Sequence, residues 1–159
     1  MAKPIVLCAD STCDLGDTLR ERYHVHYYPF HVILDGKTYS DGVDLMSDDI
    51  YRVYREKHIL PKTAAINMAE YQEFFRPFVE QGCEVIHITL GSGLSASYNN
   101  CRLAAEGMEG VYAVDSRNLS TGSGLLVIEA AQRIAAGMPA SEIAQELNEV
   151  ASHCHASFC

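Results

Sequence analysis

Three short apolar runs in this sequence end in clusters of small polar residues that lead into helix-forming segments. They are IVLCA at 5–9 before Asp10-Ser11-Thr12, EVIHITL at 84–90 before GSGLSAS, and VYAV at 111–114 before DSRNLSTGSG. Such runs read as strands buried on both faces. Buried strands separated by helical stretches are joined by right-handed crossovers that put helices on both sides of a parallel sheet. The expected architecture is therefore a three-layer α/β/α domain around a mostly parallel sheet. Ligands in such sheets bind beyond the carboxyl ends of the strands, so the polar clusters converge on one rim.

The remaining segments fit this frame. A helix is expected from about Asp14 to Tyr23, followed by HVHYYPFHVIL at 24–34, rich in strand formers and split or confined to an edge by Pro29. Asp35-Gly36 predicts a hairpin turn into KTYSDG. Ser47 is placed to cap a helix running to Lys57, with acidic residues in its first turn, and PKTAA at 61–65 reads as a loop. Further helices are expected from Met68 to Gly82, 96–107, 120–136 and 141–153, the first with an apolar face at 71, 74, 75, 78 and 79 and the last capped by Ser141.

A chain of 159 residues has room for one domain, taken here as 1–159. A formal charge of −9 argues against nucleic acid or an anionic membrane surface as partner. The N-terminal MAKPIVLCAD lacks the pattern of a signal peptide, so the expected location is cytoplasmic. There the six cysteines would stay thiols. No apolar run is long enough for stable membrane insertion.

The stretch LGSGLSASYNNC at 90–101 carries three readings. Gly91-x-Gly93-x-x-Ala96, with Asp115 at the end of the following strand, fits a relaxed dinucleotide fingerprint of an oxidoreductase. It follows the third of the expected strands, not the first, and holds more hydroxyls than a pyrophosphate cradle needs. Alternatively Ser95 is the nucleophile of a serine hydrolase with Asp115 and His153 or His155, although Ser97 stands where the elbow needs glycine. The third reading is an anion cradle of free N–H groups at a helix N-terminus with serine hydroxyls; Thr63 and Ser11-Thr12 could bring more hydroxyls to the same rim.

Other chemistry-bearing residues weigh less. His24, His26 and His31 lack a carboxylate or thiol to complete a metal set, and His153, Cys154, His155 and Cys159 are close only in sequence, so no metal is expected. Cys13 reads as a small loop filler more readily than as an activated thiol. Asp10 and Asp115 read as acceptors of turn N–H groups ahead of an acid–base pair. Asp41 and Asp44 lack the later ligands of a calcium loop.

The chain resembles the DegV family of bacterial fatty-acid-binding proteins. The resemblance is carried by ADSTCDL at 9–15, PFHVILDGKTYSDGVDL at 29–45, PKTAAINMAEYQEFF at 61–75, ITLGSGLSASYNNCRLAAE at 88–106 and VYAVDSRNLSTGSGLLVIEAA at 111–131, in the family's order. It implies a non-catalytic carrier with no cofactor. Its ligand would be a long-chain fatty acid, presented to a fatty-acid kinase that makes the acyl-phosphate for phospholipid metabolism. The family's carboxylate-binding threonine falls on Thr63 and its SGTY serine on Ser95. Ser92, Gly93 and Ala96 would then shape the anion loop, with Ser11, Asp115 and Ser116 at its rim.

Two departures from the family pattern stand out. Ala64 and Gly91 occupy positions where the family has serine, and the N–H groups of Gly91 and Gly93 are expected to compensate. Family members also continue into a second, lid-bearing domain with a glycine-rich segment, whereas nothing like it follows Cys159. The chain is thus expected to be the first domain alone, with exposed apolar surface favouring self-association.

Overall fold

The computed structural model describes residues 3–157. In chain order the strands are β1 (Ile5–Asp10), β2 (His26–Tyr28), β3 (His31–Leu34), β4 (Lys37–Ser40), β5 (Lys62–Ala64), β6 (Glu84–Thr89) and β7 (Val111–Asp115). The helices are α1 (Asp17–Arg22), α2 (Ser47–Lys57), α3 (Met68–Glu80), α4 (Ser97–Glu106), α5 (Thr121–Ala135) and α6 (Ala140–His153). A single 3-10 turn, Ser11–Cys13, follows β1.

Strands β2, β1, β6 and β7 lie side by side in that order, all parallel. Side chains alternate across them. Leu7, Ala9, Ile86, Ile88 and Val114 face one way and meet Leu126, Val127 and Ala130 of α5 and Ile143 and Leu147 of α6. Cys8, Val85 and Val111 face the other way, onto Tyr71 and Phe75 of α3 and Cys101 and Ala104 of α4. The expected three layers follow from this two-sided burial.

Pro29 does more than end a strand. It lies between β2 in the parallel sheet and β3, which belongs to a separate antiparallel sheet ordered β4-β3-β5. The turn between β3 and β4 is Asp35-Gly36, with φ of +51° and +76°, the left-handed pair a tight hairpin needs. Val32, Leu34 and Leu45 form a small core of their own with Ile50 and Val53 of α2.

Strand β5 occupies part of the segment that reads as a loop in sequence. It is three residues long, too short to show alternation, and is defined by its pairing of His31 with Ala64 and Val32 with Thr63. Two helix starts also differ. The residue before α2 is Met46, whose N–H donates to the Asp49 carboxylate, and α6 begins at Ala140 after Pro139. Helix α3 has a reciprocal cap: Asn67 accepts the Glu70 N–H while the Glu70 carboxylate accepts the Asn67 N–H.

Phe75 is fully buried and stacks on Tyr71 between α3 and the sheet. Phe75→Ala is expected to lower unfolding free energy by about 3–5 kcal/mol in urea titrations. Tyr51→Ala, on the exposed side of α2, should stay within about 0.5 kcal/mol of the parent.

Candidate functional site

The carboxyl end of the parallel sheet is organised by Asp10, the last residue of β1, whose side chain is 1% exposed. Its carboxylate accepts the Leu90 N–H at 2.8 Å, the Tyr71 hydroxyl at 2.8 Å and His87 Nε2 at 2.9 Å. Burial, and then the Asp10 charge, push the Tyr71 hydroxyl well up from its ordinary value, so it stays a donor. His87 is fully buried, its ring set edge-on to Tyr71, Phe74 and Phe75. The proton that faces Asp10 sits on Nε2, and Nδ1 has no partner among the described residues. Asp10 therefore accepts one backbone N–H, as expected, but from the end of β6 and not from its own turn.

Leu90 opens the loop that leads into α4. The Gly91 N–H donates to the Asn118 carbonyl at 2.9 Å, and the Leu94 and Ser95 N–H groups turn back onto the Gly91 carbonyl. The Asp115 carboxylate, at the end of β7, accepts the Ser92 N–H at 3.0 Å, the Ser92 hydroxyl at 2.5 Å and the Arg117 N–H at 2.9 Å. Ser95 Oγ accepts the Ser97 N–H at 3.1 Å and donates to the Ser97 hydroxyl at 3.0 Å. Ser97 Oγ in turn accepts the Ile66 N–H at 3.2 Å, and Asn100 Nδ2 donates to the Ile66 carbonyl at 2.8 Å. These last bonds fasten the segment following β5, three residues from Thr63, to the first turn of α4.

This framework leaves a defined set of groups at the surface. The backbone N–H groups of Gly93, Ala96, Tyr98 and Asn99 make no hydrogen bond among the described residues. Thr63, Ser92, Gly93 and Ala96 are exposed and Ser95 is half-buried. Leu94, 61% exposed, stands at the tip of the loop. The helix dipole adds a partial positive charge at this end, so the arrangement suits an anion with an apolar tail.

The three other hydroxyls expected at the rim, on Ser11, Thr12 and Ser116, are turned inward, and Thr12 Oγ1 is buried with no partner among the described residues. Ser11 Oγ donates to Asp41 at 2.6 Å and accepts the Phe30 N–H at 3.0 Å, pinning the antiparallel sheet to the end of β1. Ser116 is fully buried; its hydroxyl donates to the Asn118 carbonyl and lies 2.9 Å from that of Ser123. Asp115 serves as an acceptor for its own turn and for Ser92, with both carboxylate oxygens engaged. Ser95 bonds to Ser97, whereas His153 Nδ1 meets Ser152 and the Glu149 carbonyl at the exposed end of α6.

The sequence expectation for Gly91 changes in kind. Its N–H is committed to Asn118, and a Cβ at this position would come within 2.8 Å of the Arg117 carbonyl carbon and the Asn118 nitrogen. Gly91 is thus required by the approach of two loops, while a Cβ on Gly93 would meet nothing within 4 Å. Among the described residues no three His, Cys, Asp or Glu side chains gather as a metal site, and His31 is paired with Glu70 at 2.8 Å. Cys159 lies outside the described residues. Burial pushes the Cys13 thiol up, opposite to the shift an activated thiol needs, and the thiol donates to the Tyr27 hydroxyl.

Residues 4–159 match the family model described as "Uncharacterised protein, DegV family". The chain belongs to the DegV family. A DegV domain-containing protein of Listeria monocytogenes is 33% identical over 153 residues, covering 94% of this chain and 54% of the relative. One from Clostridium perfringens is 30% identical over 151 residues, with the same coverage of 94% and 54%. The chain thus spans about half the length of these curated relatives.

Among solved DegV structures, one from Thermus thermophilus, described as fatty-acid binding, superimposes with a TM-score of 0.83 at 28% identity. It covers 94% of this chain and 54% of that one. A stearic acid-binding protein from Eubacterium ventriosum gives 0.79 at 29% identity, covering 93% and 52%. The DegV fold is therefore established for this chain. Sequence reasoning missed Ser97, Asn100 and Ile66, the residues that couple the two loops, and His87 beneath them. The only local signal was the Ser-x-Ser at the start of α4.

The two glycines give a matched test. Gly91→Ala should lower stability by about 1–3 kcal/mol through overpacking against Arg117 and Asn118, read as a drop in thermal midpoint. Gly93→Ala should leave the midpoint within about a degree or two, given the small effects of exposed substitutions.

Proposed function

We propose that this DegV chain is the carboxylate-holding domain of a long-chain fatty-acid carrier. The observation that carries the reading is the exposed loop before α4 together with the first turn of α4, where the N–H groups of Gly93, Ala96, Tyr98 and Asn99 are unpaired among the described residues. The hydroxyl of Ser95 belongs to the same loop, and Thr63 belongs to the segment tied to it through Ile66 and Ser97. A carboxylate accepts several such bonds at once. The fatty-acid-binding descriptions of the Thermus thermophilus and Eubacterium ventriosum relatives supply the ligand class.

In this reading Thr63 and Ser95 donate to the carboxylate, and Gly93 and Ala96 contribute backbone N–H groups. Ser95 reaches the ligand by rotating its hydroxyl from Ser97 while still accepting the Ser97 N–H. Ser92 holds the loop through Asp115, and Ser11 and Ser116 hold the neighbouring turns. Leu94 and Met68, both exposed, begin the apolar path for the chain, whose burial contributes about 0.8 kcal/mol per methylene. Polar contacts then fix orientation more than they set affinity.

The role proposed is non-catalytic and cytoplasmic, with a fatty-acid kinase as the partner that phosphorylates the presented carboxylate. The chain acts as the first of two domains in the family plan, and its exposed Val43, Met46 and Leu60 favour self-association when it stands alone.

Denaturing mass spectrometry of the purified chain should release a long-chain fatty acid. Thr63→Ala should weaken fatty-acid binding about tenfold, the equivalent of about 1.4 kcal/mol for one charge-assisted hydrogen bond. Ser95→Ala should do the same with the fold intact by circular dichroism. Absence of any bound fatty acid, together with unchanged acyl binding in both variants, would sink the reading.

A further inference from the structure

A carboxylate entering the loop before α4 meets an adverse field. The chain has a formal charge of −9, and the Asp115 carboxylate is fixed at the base of the loop by Ser92. Hydroxyls and amide dipoles orient a head group but carry no net charge, so a counter-charge at the loop would offset the repulsion between the two anions. Across the four rim segments, 10–16, 61–67, 90–98 and 115–121, the basic residues are Lys62 and Arg117. Lys62 immediately precedes Thr63 on β5. Successive strand side chains point to opposite faces, so the face that presents Thr63 turns Lys62 away.

Arg117 is the cation that remains. Its backbone lies across the foot of the loop: a Cβ on Gly91 would come within 3.0 Å of the Arg117 Cα, and the Arg117 N–H donates to Asp115. Its side chain is exposed and makes no ion pair among the described residues. Its charge reaches the first turn of α4: burial and then Asp115 raise the Tyr98 hydroxyl, Arg102 of α4 pulls against them, and Arg117 adds a smaller pull in the same direction.

The backbone at Arg117 is left-handed, with φ of +53°. Such a conformation is uncommon for any residue but glycine and asparagine, and strain of this kind concentrates at functional sites. Ser120, in the same loop, has φ of +54°. The conformation is held by the Ser116–Asn118 bonds and by the Ser120 N–H donating to the Thr12 carbonyl at 2.9 Å.

We propose that Arg117 supplies the counter-charge for the bound head group, its guanidinium pairing with the ligand carboxylate across the loop between Gly91 and Ser95. The inference rests on the fatty-acid reading of that loop. Arginine suits the role because its planar fork matches a carboxylate and it is always protonated. The charge contributes specificity for acids over neutral lipids of the same length.

The test compares binding of a long-chain fatty acid and of the fatty alcohol of equal length to the chain carrying Arg117, Arg117→Met or Arg117→Lys, each at low and high salt. Arg117→Met should weaken the acid about tenfold, leave the alcohol unchanged and flatten the salt dependence of acid binding. Arg117→Lys should retain the salt dependence. Acid binding to Arg117→Met at parental strength overturns the inference and leaves the fatty-acid reading standing. Equal loss for acid and alcohol overturns it too, because it marks a loop defect and not a lost charge. If the parent chain binds neither lipid, both readings fall together.

Discussion

The buried Asp10 carboxylate is the contact on which the rim depends. It joins the end of β1 to the end of β6 through Leu90, reaches further back along β6 through His87, and ties both strands to α3 through Tyr71. A buried charge is tolerated only when it is hydrogen-bonded, and three donors meet it here. The consequence is geometric. Leu90 is held at a fixed height, so Gly91 meets Asn118, Ser92 meets Asp115, and α4 starts with its free N–H groups outward. Loosening the carboxylate would release the loop before it disturbed the apolar layers.

A second coupling links the two sheets. β5 is part of the antiparallel sheet and α4 covers the parallel one, yet Ser97 and Asn100 both bond to Ile66, just beyond β5. Ser11 makes the same kind of link on the other side, through Asp41 and Phe30. Thr63 and the loop before α4 are therefore joined through one hydrogen-bonded framework although 31 residues lie between Thr63 and Ser95.

Much of this was legible in the sequence, for identifiable reasons. Three of the four strands of the parallel sheet, β1, β6 and β7, show as largely apolar runs because both their faces are covered, and Asp35-Gly36 announces its turn through backbone chemistry that few residues allow. The break at Pro29 was visible, but not that the two pieces enter different sheets, since sheet membership is decided by distant partners. Strand β5 was missed because three residues cannot display a period. Ser92, Ser11 and Ser116 look alike in sequence to Ser95 and Thr63. Their differences lie in Asp115, Asp41 and Ser123, partners that no local pattern names. The same holds for the two glycines, one set by a neighbouring backbone and the other free.

The central claim is that the N–H groups of the loop before α4 and of the first turn of α4 take the ligand carboxylate. It is tested most directly by amide NMR of the labelled chain during titration with a long-chain fatty acid. The Gly93, Ala96, Tyr98 and Asn99 amide protons should move downfield together and saturate with the acid, while the Gly91 and Ser92 amides, already bonded within the protein, move little. Saturable binding that leaves those four amides in place, with the largest shifts elsewhere on the domain, would contradict it.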